Sequence, residues 1–416
     1  MNIWIMNHYI TNIIDGKADE CRHRYFANEL NNRGYNVSLF YSSAVHNSDV
    51  NTLQNENVKY KIIKTATENN IVIKTRSYVG NGLSRIENML DYYNGLLKNY
   101  KKFVKELGKP DVIMASSVHP LTCVAGLKIA KKLKVPCVVE IRDLWPLSIV
   151  AYKNISNNNI VIKMLYALEK WIYKKADSLI FTMPAGKDYI VDKKWEKQVN
   201  LDKIFSINNG IDINLQEMQK QQYQVEDKDL ESSSFKVVYT GSVREANGVY
   251  KIVDIASLTK DYDIKYIIYG DGNQREELQE KCKQLNLDNV IFKGFVQKQY
   301  TPYICSKADV NLADVNDANA VYKYGLSLNK LISYFNANKP IIVRASGNDL
   351  IKQYGCGISV DGDSANDYKE AILKIYNASN EEYKIMCDNS HTAAKDFDFT
   401  ILVNKLEQAI DFAINN

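Results

Sequence analysis

Short apolar runs rich in β-branched residues alternate with longer stretches of helical period along most of the chain, the pattern of parallel strands joined by crossover helices. In the first half the predicted strands are NIWIMNH, YNVSLFY, DVIMASS, CVVEIRD, SLIFTMP and IFSIN, with helices opening near Ala18, Leu83, Leu121, Ile160 and Gly186. In the second half they are FKVVYTG, KYIIYGDG, VIFKGF, DVNLADV, PIIVRAS and GISV, each followed by a helix or a short loop. Residues 208–235 between them are polar, Gln-rich and weakly periodic, as a linker is, and the boundary is placed near Asn200. The pattern predicts an α/β protein of two Rossmann-like, doubly wound domains, 1–200 and 201–398, facing a cleft. Ligands of such sheets sit at the carboxyl ends of the strands.

Composition narrows the choice of partner. The chain has 416 residues, 45% hydrophobic, enough to bury two cores. Its 53 Lys and Arg against 49 Asp and Glu leave +4, too weak a balance to argue for nucleic acid. Seven scattered cysteines without paired spacing fit reduced thiols and supply no zinc motif, so no metal is expected. Neither a signal-peptide pattern nor a long apolar run is visible, and the expected location is the cytoplasm.

Candidate chemistry lies at strand ends. VVYTGSVREANG (237–248) closes a strand on Gly241, then offers Ser242, Arg244 and Asn247 before a helix. A glycine turn there lets backbone N–H groups approach an anion, and Arg244 adds a two-pronged grip on phosphate; an ordinary turn with a solvated Arg fits as well. In IIYGDGNQREEL the first-turn glutamates suit the helix by themselves, which leaves Gly270 as the residue near a ligand. Phe295 and Val296 follow Gly294 at the next strand end, where a flat base can lie against backbone. In YGLSLNKLISYFNANKP a helix opens on Ser327 and presents Asn329 and Lys330 in its first turn, with Leu328, Leu331, Ile332 and Phe335 on the buried face. A lysine is the wrong sign for a helix N-terminus unless an anion is bound beside it, so Lys330 and Arg244 form a candidate diphosphate clamp.

In the first half, VVEIRDLWP places Glu140, Arg142 and Asp143 at a strand end, either lining a site or paired internally. His119 ends the preceding strand, and Gly16 and Arg22 belong to a first loop able to close over donor or acceptor. Residues 160–178 mix Ile, Leu, Met, Trp171 and Tyr173 with Lys163, Lys170, Lys174 and Lys175. That face suits either an anionic membrane surface or a core helix with solvated lysines.

In the order ADECRHRYFANELNNRGYNVSLF, VEIRDLWP, EKWIYKKADSLIF, NNGID, VVYTGSV, YGDGNQREEL, LDNVIFKGFV, SKADVNL and NKLISYFNANKPII, the chain resembles a family-4, retaining, GT-B glycosyltransferase over nearly its whole length. Many members of that family carry two glutamates eight positions apart, the second on the nucleotide ribose; here those positions are Tyr322 and Lys330. A subgroup similar to the L-N-acetylfucosamine transferases of O-antigen synthesis has a comparable NK pair. The resemblance implies a metal-independent transferase with a UDP-sugar as donor substrate and no other cofactor. Its acceptor would be a glycan or lipid-linked sugar of a bacterial surface polysaccharide such as capsule or O-antigen, reached at the inner face of the cell membrane by peripheral contact.

The donor side would comprise Gly241, Ser242, Arg244, Asn247, Gly270, Phe295, Val296, Ser327, Asn329 and Lys330; Asp143 would act as base or orienter, with His119 or Arg142 touching the sugar. The resemblance also sends the last helix (399–416), with its stripe Ile401, Leu402, Leu406, Ala409, Ile410 and Ala413, back to the N-terminal domain. Two alternatives stand beside this reading: a UDP-sugar 2-epimerase of the same fold, and a non-catalytic partner subunit of a glycosyltransferase.

Overall fold

The computed structural model describes the chain except residues 15, 16, 19, 20, 66, 81, 118, 154, 315–318 and 345–348, and only the backbone of 17, 18, 319 and 320. Gly16 therefore lies outside the described residues. Two compact units form, Met1–Asn208 with Leu402–Asn416, and Asn209–Ile401.

The strands of the first unit are β1 (Asn2–Met6), β2 (Ile13–Ile14), β3 (Lys17–Ala18), β4 (Asn36–Ser42), β5 (Tyr60–Lys64), β6 (Asn69–Ile73), β7 (Val112–Ser116), β8 (Cys137–Ile141), β9 (Ser178–Phe181) and β10 (Ile204–Ser206). Eight of them make one sheet in the order β10-β9-β8-β7-β1-β4-β6-β5, parallel except where β5 runs against β6. Every residue of β7, β8 and β9 is buried, because crossover helices cover both faces of such a sheet. The helix Pro120–Leu133 lies so close to β7 that a Cβ on Gly126 would stand 2.5 Å from that of Ala115. The first helix spans Arg22–Asn32 instead of opening near Ala18, since Lys17–Ala18 pairs with Ile13–Ile14 as a small ribbon.

One charge sits inside this apolar layer. Glu140, on β8, is fully buried and accepts from Arg22 Nε and His23 Nε2, both at 2.8 Å, and from the Ser116 hydroxyl. Burial alone would push its carboxyl up; Arg22 and His23 outweigh that and hold it well below the usual carboxylate range. The Arg22 guanidinium also donates to the carbonyls of Ile207, at 2.8 Å, and Asn208, so one residue fastens the first helix, β8 and the segment after β10.

The second unit has β11 (Phe235–Thr240), β12 (Ile264–Tyr269), β13 (Val290–Gly294), β14 (Val310–Ala313), β15 (Ile341–Arg344) and β16 (Gly357–Val360), all parallel, in the order β13-β12-β11-β14-β15-β16. The segment expected as a plain linker holds the helix Ile213–Gln222, which buries none of its residues and so leaves no apolar stripe to read. Before it, Ile211 exchanges backbone hydrogen bonds of 2.9 Å with Phe397 and Phe399.

The last helix, Phe399–Asn415, buries Leu402, Val403, Leu406, Ala409, Ile410 and Ala413, and from Leu402 onward it belongs to the first unit. Arg33 donates to Asn404 at 2.7 Å and pairs with Glu407, while the Phe205 and Phe412 rings meet at 5.8 Å. Ile401 is exposed, outside the stripe expected to include it.

Glu140→Gln is expected to destabilise the first unit by roughly 3 to 5 kcal/mol, because it leaves the buried Arg22 charge uncompensated. Denaturant unfolding followed by circular dichroism checks this; an unchanged midpoint would refute the central role of the carboxylate.

Candidate functional site

In a doubly wound sheet the crevice for ligands opens where strand order reverses, because consecutive crossovers there leave to opposite sides. In the second unit the reversal falls between β11 and β14. Gly241 and Asp314 follow those two strands directly.

Gly241, with φ at 137°, leaves open a space that the Lys330 ammonium fills: a Cβ at 241 would stand 3.0 Å from Lys330 Nζ. The ammonium donates to the Tyr239 hydroxyl at 2.8 Å and lies 4.0 Å from the Tyr239 ring centre. Tyr239, buried near the end of β11, donates its hydroxyl hydrogen bond to the Ser242 carbonyl at 2.9 Å. Asn247 closes the turn, donating through Nδ2 to the Ser242 carbonyl at 2.8 Å and to its hydroxyl at 2.9 Å. Beneath, Asp314 pairs with Lys251 at 2.8 Å and Arg344 at 3.7 Å, and it occupies the space that a Cβ on Gly248 would need.

Lys330 is half-buried, and loss of hydration pushes its pKa down to about 8 although the Asp314 carboxylate pulls the other way. It makes no ion pair among the described residues. The short helix Asn329–Phe335 behind it is held by its buried face, Leu331, Ile332, Tyr334 and Phe335, and the Tyr334 hydroxyl accepts the Thr240 N–H at 3.0 Å.

The amides of the glycine turn are mostly spent. Gly241 N–H donates to the Tyr269 carbonyl, Val243 N–H to Asp271 and Arg244 N–H to Ser242. An anion at this turn would therefore be held by cationic side chains and not by those three amides, unlike the backbone cradle expected from the sequence. Arg244 is exposed, with its guanidinium toward solvent.

The remaining predicted donor residues are dispersed in their roles. Gly270 is required for packing, since a Cβ there would sit 1.7 Å from the Gly241 carbonyl oxygen. Ser327 is tied to Asn209, its carbonyl accepting Asn209 Nδ2 at 2.7 Å. Asn329 is exposed, Phe295 holds its ring in solvent at 76% exposure, and Val296 packs beside Leu230 and Ile267.

In the first unit the reversal falls between β1 and β7. His8 follows β1 and lies between the Tyr9 and Tyr92 rings at 4.6 and 4.5 Å. Its Nδ1 meets His119 Nε2 at 2.5 Å. Burial pushes the His119 pKa down to about 3 and that of His8 well below its usual value, so the pair is neutral. His119, expected to face a ligand, is wholly buried behind His8, because the helix Pro120–Leu133 starts immediately after it. Arg22 is likewise corrected: it is a buried brace to Glu140, not a loop residue reaching outward. Arg142 is half-buried and donates its backbone N–H to Ser117 Oγ at 3.1 Å.

Asp143 is exposed, yet it has enough protein around it to push its carboxyl up, against the pull of Arg142 and Arg85. The cavity beside it, about 30 Å³ and lined by Trp145, Glu169 and Tyr173, has room for a water and not for a sugar. Glu169 is held there by the Tyr173 and Tyr189 hydroxyls at 2.7 and 2.8 Å, and burial pushes its pKa up to about 7.

Sequence reasoning missed Tyr239, Asp314, Lys251 and the His8 partner of His119. Strand-end position marked Asp314 and His8. Nothing local marked the others.

Comparison with known proteins adds the family context. Residues 23–215 match the model of Glycosyltransferase Family 4, and residues 234–378 match that of Glycosyl transferases group 1. An uncharacterized glycosyltransferase of Methanocaldococcus jannaschii is 28% identical over 139 residues, 33% of this chain; the match spans 34% of that relative's length. Among solved structures, Anabaena HepE in complex with UDP superposes with a TM-score of 0.66 at 14% identity, covering 99% of this chain and 100% of that one. The E. coli trehalose-6-phosphate protein bound with UDP-2-fluoro glucose gives 0.71 at 10% identity, covering 99% of each chain. The fold is thus that of the GT-B glycosyltransferases, as the resemblance implies.

The Lys330 amine should titrate near pH 8, well below an ordinary lysine. With its lysines isotopically methylated, the protein should show a resonance titrating near pH 8 that Lys330→Met removes. Gly241→Ala should drive the ammonium into solvent and return that resonance to the ordinary range; an unmoved titration would contradict the geometry.

Proposed function

We propose that this chain, a Glycosyltransferase Family 4 domain followed by a Glycosyl transferases group 1 domain on a GT-B fold, transfers a hexosyl group with retention from a UDP-sugar to a hydroxyl. The donor sugar is an N-acetylated or deoxy hexose, and the acceptor a glycan or lipid-linked sugar of bacterial surface polysaccharide synthesis. The observation that carries the reading is the half-buried Lys330 ammonium at the glycine turn of the second unit, a cation with no ion-pair partner among the described residues.

The reaction's barrier is charge separation. The bond from the sugar's anomeric carbon to the diphosphate oxygen breaks, the sugar becomes oxocarbenium-like, and the acceptor oxygen bonds to the same face while its hydroxyl proton leaves. Lys330 and Arg244 stabilise the departing diphosphate, and their positive charges take the place of a metal ion. The second unit holds the nucleotide, with Gly241, Ser242 and Asn247 shaping the turn and Phe295 and Val296 at the base. The first unit holds the acceptor. There Asp143, exposed and with a raised pKa, receives or orients the hydroxyl proton, Arg142 touches the sugar, and the neutral His119 positions the loop through His8.

Release of UDP from a panel of UDP-sugars by the purified chain tests the reading. Turnover without acceptor to a 2-epimer would assign the epimerase instead, and no turnover of any donor would assign the partner subunit. Lys330→Met and Arg244→Ala should each lower turnover about tenfold or more, since each removes a charge-assisted contact worth roughly 1.5 to 3 kcal/mol. UDP affinity of the free enzyme should fall as pH rises through about 8, where Lys330 loses its proton, and Lys330→Met should abolish that step. Turnover should persist in excess EDTA; its loss and recovery on adding Mg would overturn the metal-free mechanism.

A further inference from the structure

The Lys330 amine is held in a way that leaves its lone pair free once its proton has gone. The Tyr239 hydroxyl donates to the Ser242 carbonyl at 2.9 Å, so toward Lys330 it can only accept, which it does at 2.8 Å. A neutral Lys330 keeps one N–H on Tyr239, and the tyrosine proton does not occupy the lone pair. The Tyr239 ring, 4.0 Å away, adds contact and no base. Glycine at 241 leaves the nitrogen uncrowded, where a Cβ would stand 3.0 Å from it. The groups that face Lys330 from neighbouring elements do not change charge in the neutral range: burial raises the Tyr239 hydroxyl, and it pushes the Cys305 thiol, on the helix Thr301–Ser306, up to about 12. Asp314 contributes a carboxylate that acts from a distance.

Other lysines are held differently. Burial also lowers Lys203 and Lys193. Lys203, however, is buried and donates to the carbonyls of Lys174 and Ala176, and Lys193 lies 3.8 Å from the centre of the Tyr166 ring, where the Glu169 and Asp192 carboxylates pull its proton back. Lys251 is locked between Asp314 and Asp363. Lys330 is half-buried, makes no ion pair among the described residues, and stands at the turn of Ser242 and the exposed Arg244. At pH 7 an amine with a pKa of about 8 is neutral about a tenth of the time, against about one part in 2,500 for an ordinary lysine. A weaker base is a weaker nucleophile, and with the Brønsted slope of about 0.4–0.5 known for thiols a net advantage of at least about tenfold remains.

Such an amine at a turn that attracts phosphate is matched to a reagent carrying both a phosphate and an activated carbonyl. We propose that Lys330 is a modification site, acylated on Nζ by acyl phosphates, and that acylation switches the turn off as an anion site. The phosphate of the reagent is drawn to Arg244, and the neutral amine attacks the acyl carbon. The C–N bond forms, the C–O bond to phosphate breaks, and the proton shed by nitrogen leaves on the phosphate, so that amine and acyl phosphate dianion become amide and hydrogen phosphate dianion. The amide carries no charge and takes up no proton, and Lys330 ceases to attract a diphosphate. The choice of a phosphate-bearing reagent rests on the functional reading above; the reactivity of the amine does not.

Incubation of the full chain with acetyl phosphate, followed by trypsin and mass spectrometry, tests the proposal without turnover. Trypsin cuts after Lys330 in the unmodified chain, and acetylation should join residues 324–330 to 331–344 in one peptide. At pH 7 Lys330 should be acetylated at least about tenfold faster than Lys101 and Lys102, exposed on the helix Leu83–Leu107. Its rate should level off above about pH 8 while theirs goes on rising. Gly241→Ala, with unchanged circular dichroism, should bring the Lys330 rate down to theirs, and Arg244→Ala should slow the reaction with acetyl phosphate but not that with the neutral p-nitrophenyl acetate. The chain acetylated at Lys330 should bind UDP at least about tenfold more weakly, the loss of one charge-assisted contact. Acetylation of Lys330 no faster than that of Lys101, a rate untouched by Gly241→Ala, or equal slowing of both reagents by Arg244→Ala would overturn the proposal. UDP should protect Lys330 and leave Lys101 as reactive as before. Fast acetylation that UDP does not slow would support the modification and count against the diphosphate clamp, whereas a chain that binds UDP yet keeps Lys330 unmodified would overturn the modification and leave the clamp standing.

Discussion

The geometry around Lys330 depends on the absence of side chains at successive strand ends. Gly241 and Gly270 follow β11 and β12, Gly294 closes β13, and the turns they make are stacked so tightly that the Gly241 carbonyl occupies the place of a Cβ on residue 270. Gly270 N–H donates to the Gly294 carbonyl at 2.8 Å, and Gly241 N–H to that of Tyr269 at 2.9 Å. The stack consumes the backbone donors that an isolated glycine turn would offer an anion. It also clears the space above Gly241, and Lys330 enters it. One steric constraint thus leaves the turn with a side-chain cation, whose charge depends on pH, in place of free main-chain donors.

Each unit stabilises its central strands with a buried charge that is fully paired. In the first unit Glu140 collects Arg22, His23 and the Ser116 hydroxyl; in the second Asp314 collects Lys251 and Arg344 next to Gly248. Such pairs contribute little net stability over apolar packing, but losing one partner is costly, so they fix geometry more than they add free energy. Asp314 lies at the point where strand order reverses, and Glu140 one strand away from it, on β8. They hold the ends of β8 and β14 in register with the loops around them.

Much of this architecture was legible because fully buried parallel strands read as unbroken apolar runs, and every predicted strand is present. β5 and β6 escaped because YKIIK is an edge strand with a half-exposed alternation and NNIVI opens on two asparagines. The helix Ile213–Gln222 escaped for the opposite reason, having no buried face to give it a period. At the site, Lys330 was legible through a local contradiction, a cation at a helix start. Tyr239, which holds it, lies 91 positions earlier, and Glu140, which claims Arg22, lies 118 positions later. Spacing rules reach a few residues along one element. They cannot see partners that the sheet brings together.

The two reversal points differ in charge more than in shape. Around β1 and β7 the imidazoles of His8 and His119 are kept neutral by burial, stacked among tyrosines, with the exposed carboxylate of Asp143 nearby. Around β11 and β14 the acid is compensated from below, and the groups left over are cations, Lys330 and Arg244. An exposed carboxylate suits a ligand rich in hydroxyls, and an ammonium without an ion pair suits one that carries phosphate charge. That difference is why the acceptor is assigned to the first unit and the nucleotide to the second. An ammonium beside Gly241 attracts phosphate charge where a carboxylate in the same place would repel it, which gives a physical sense to a lysine at the start of the helix Asn329–Phe335.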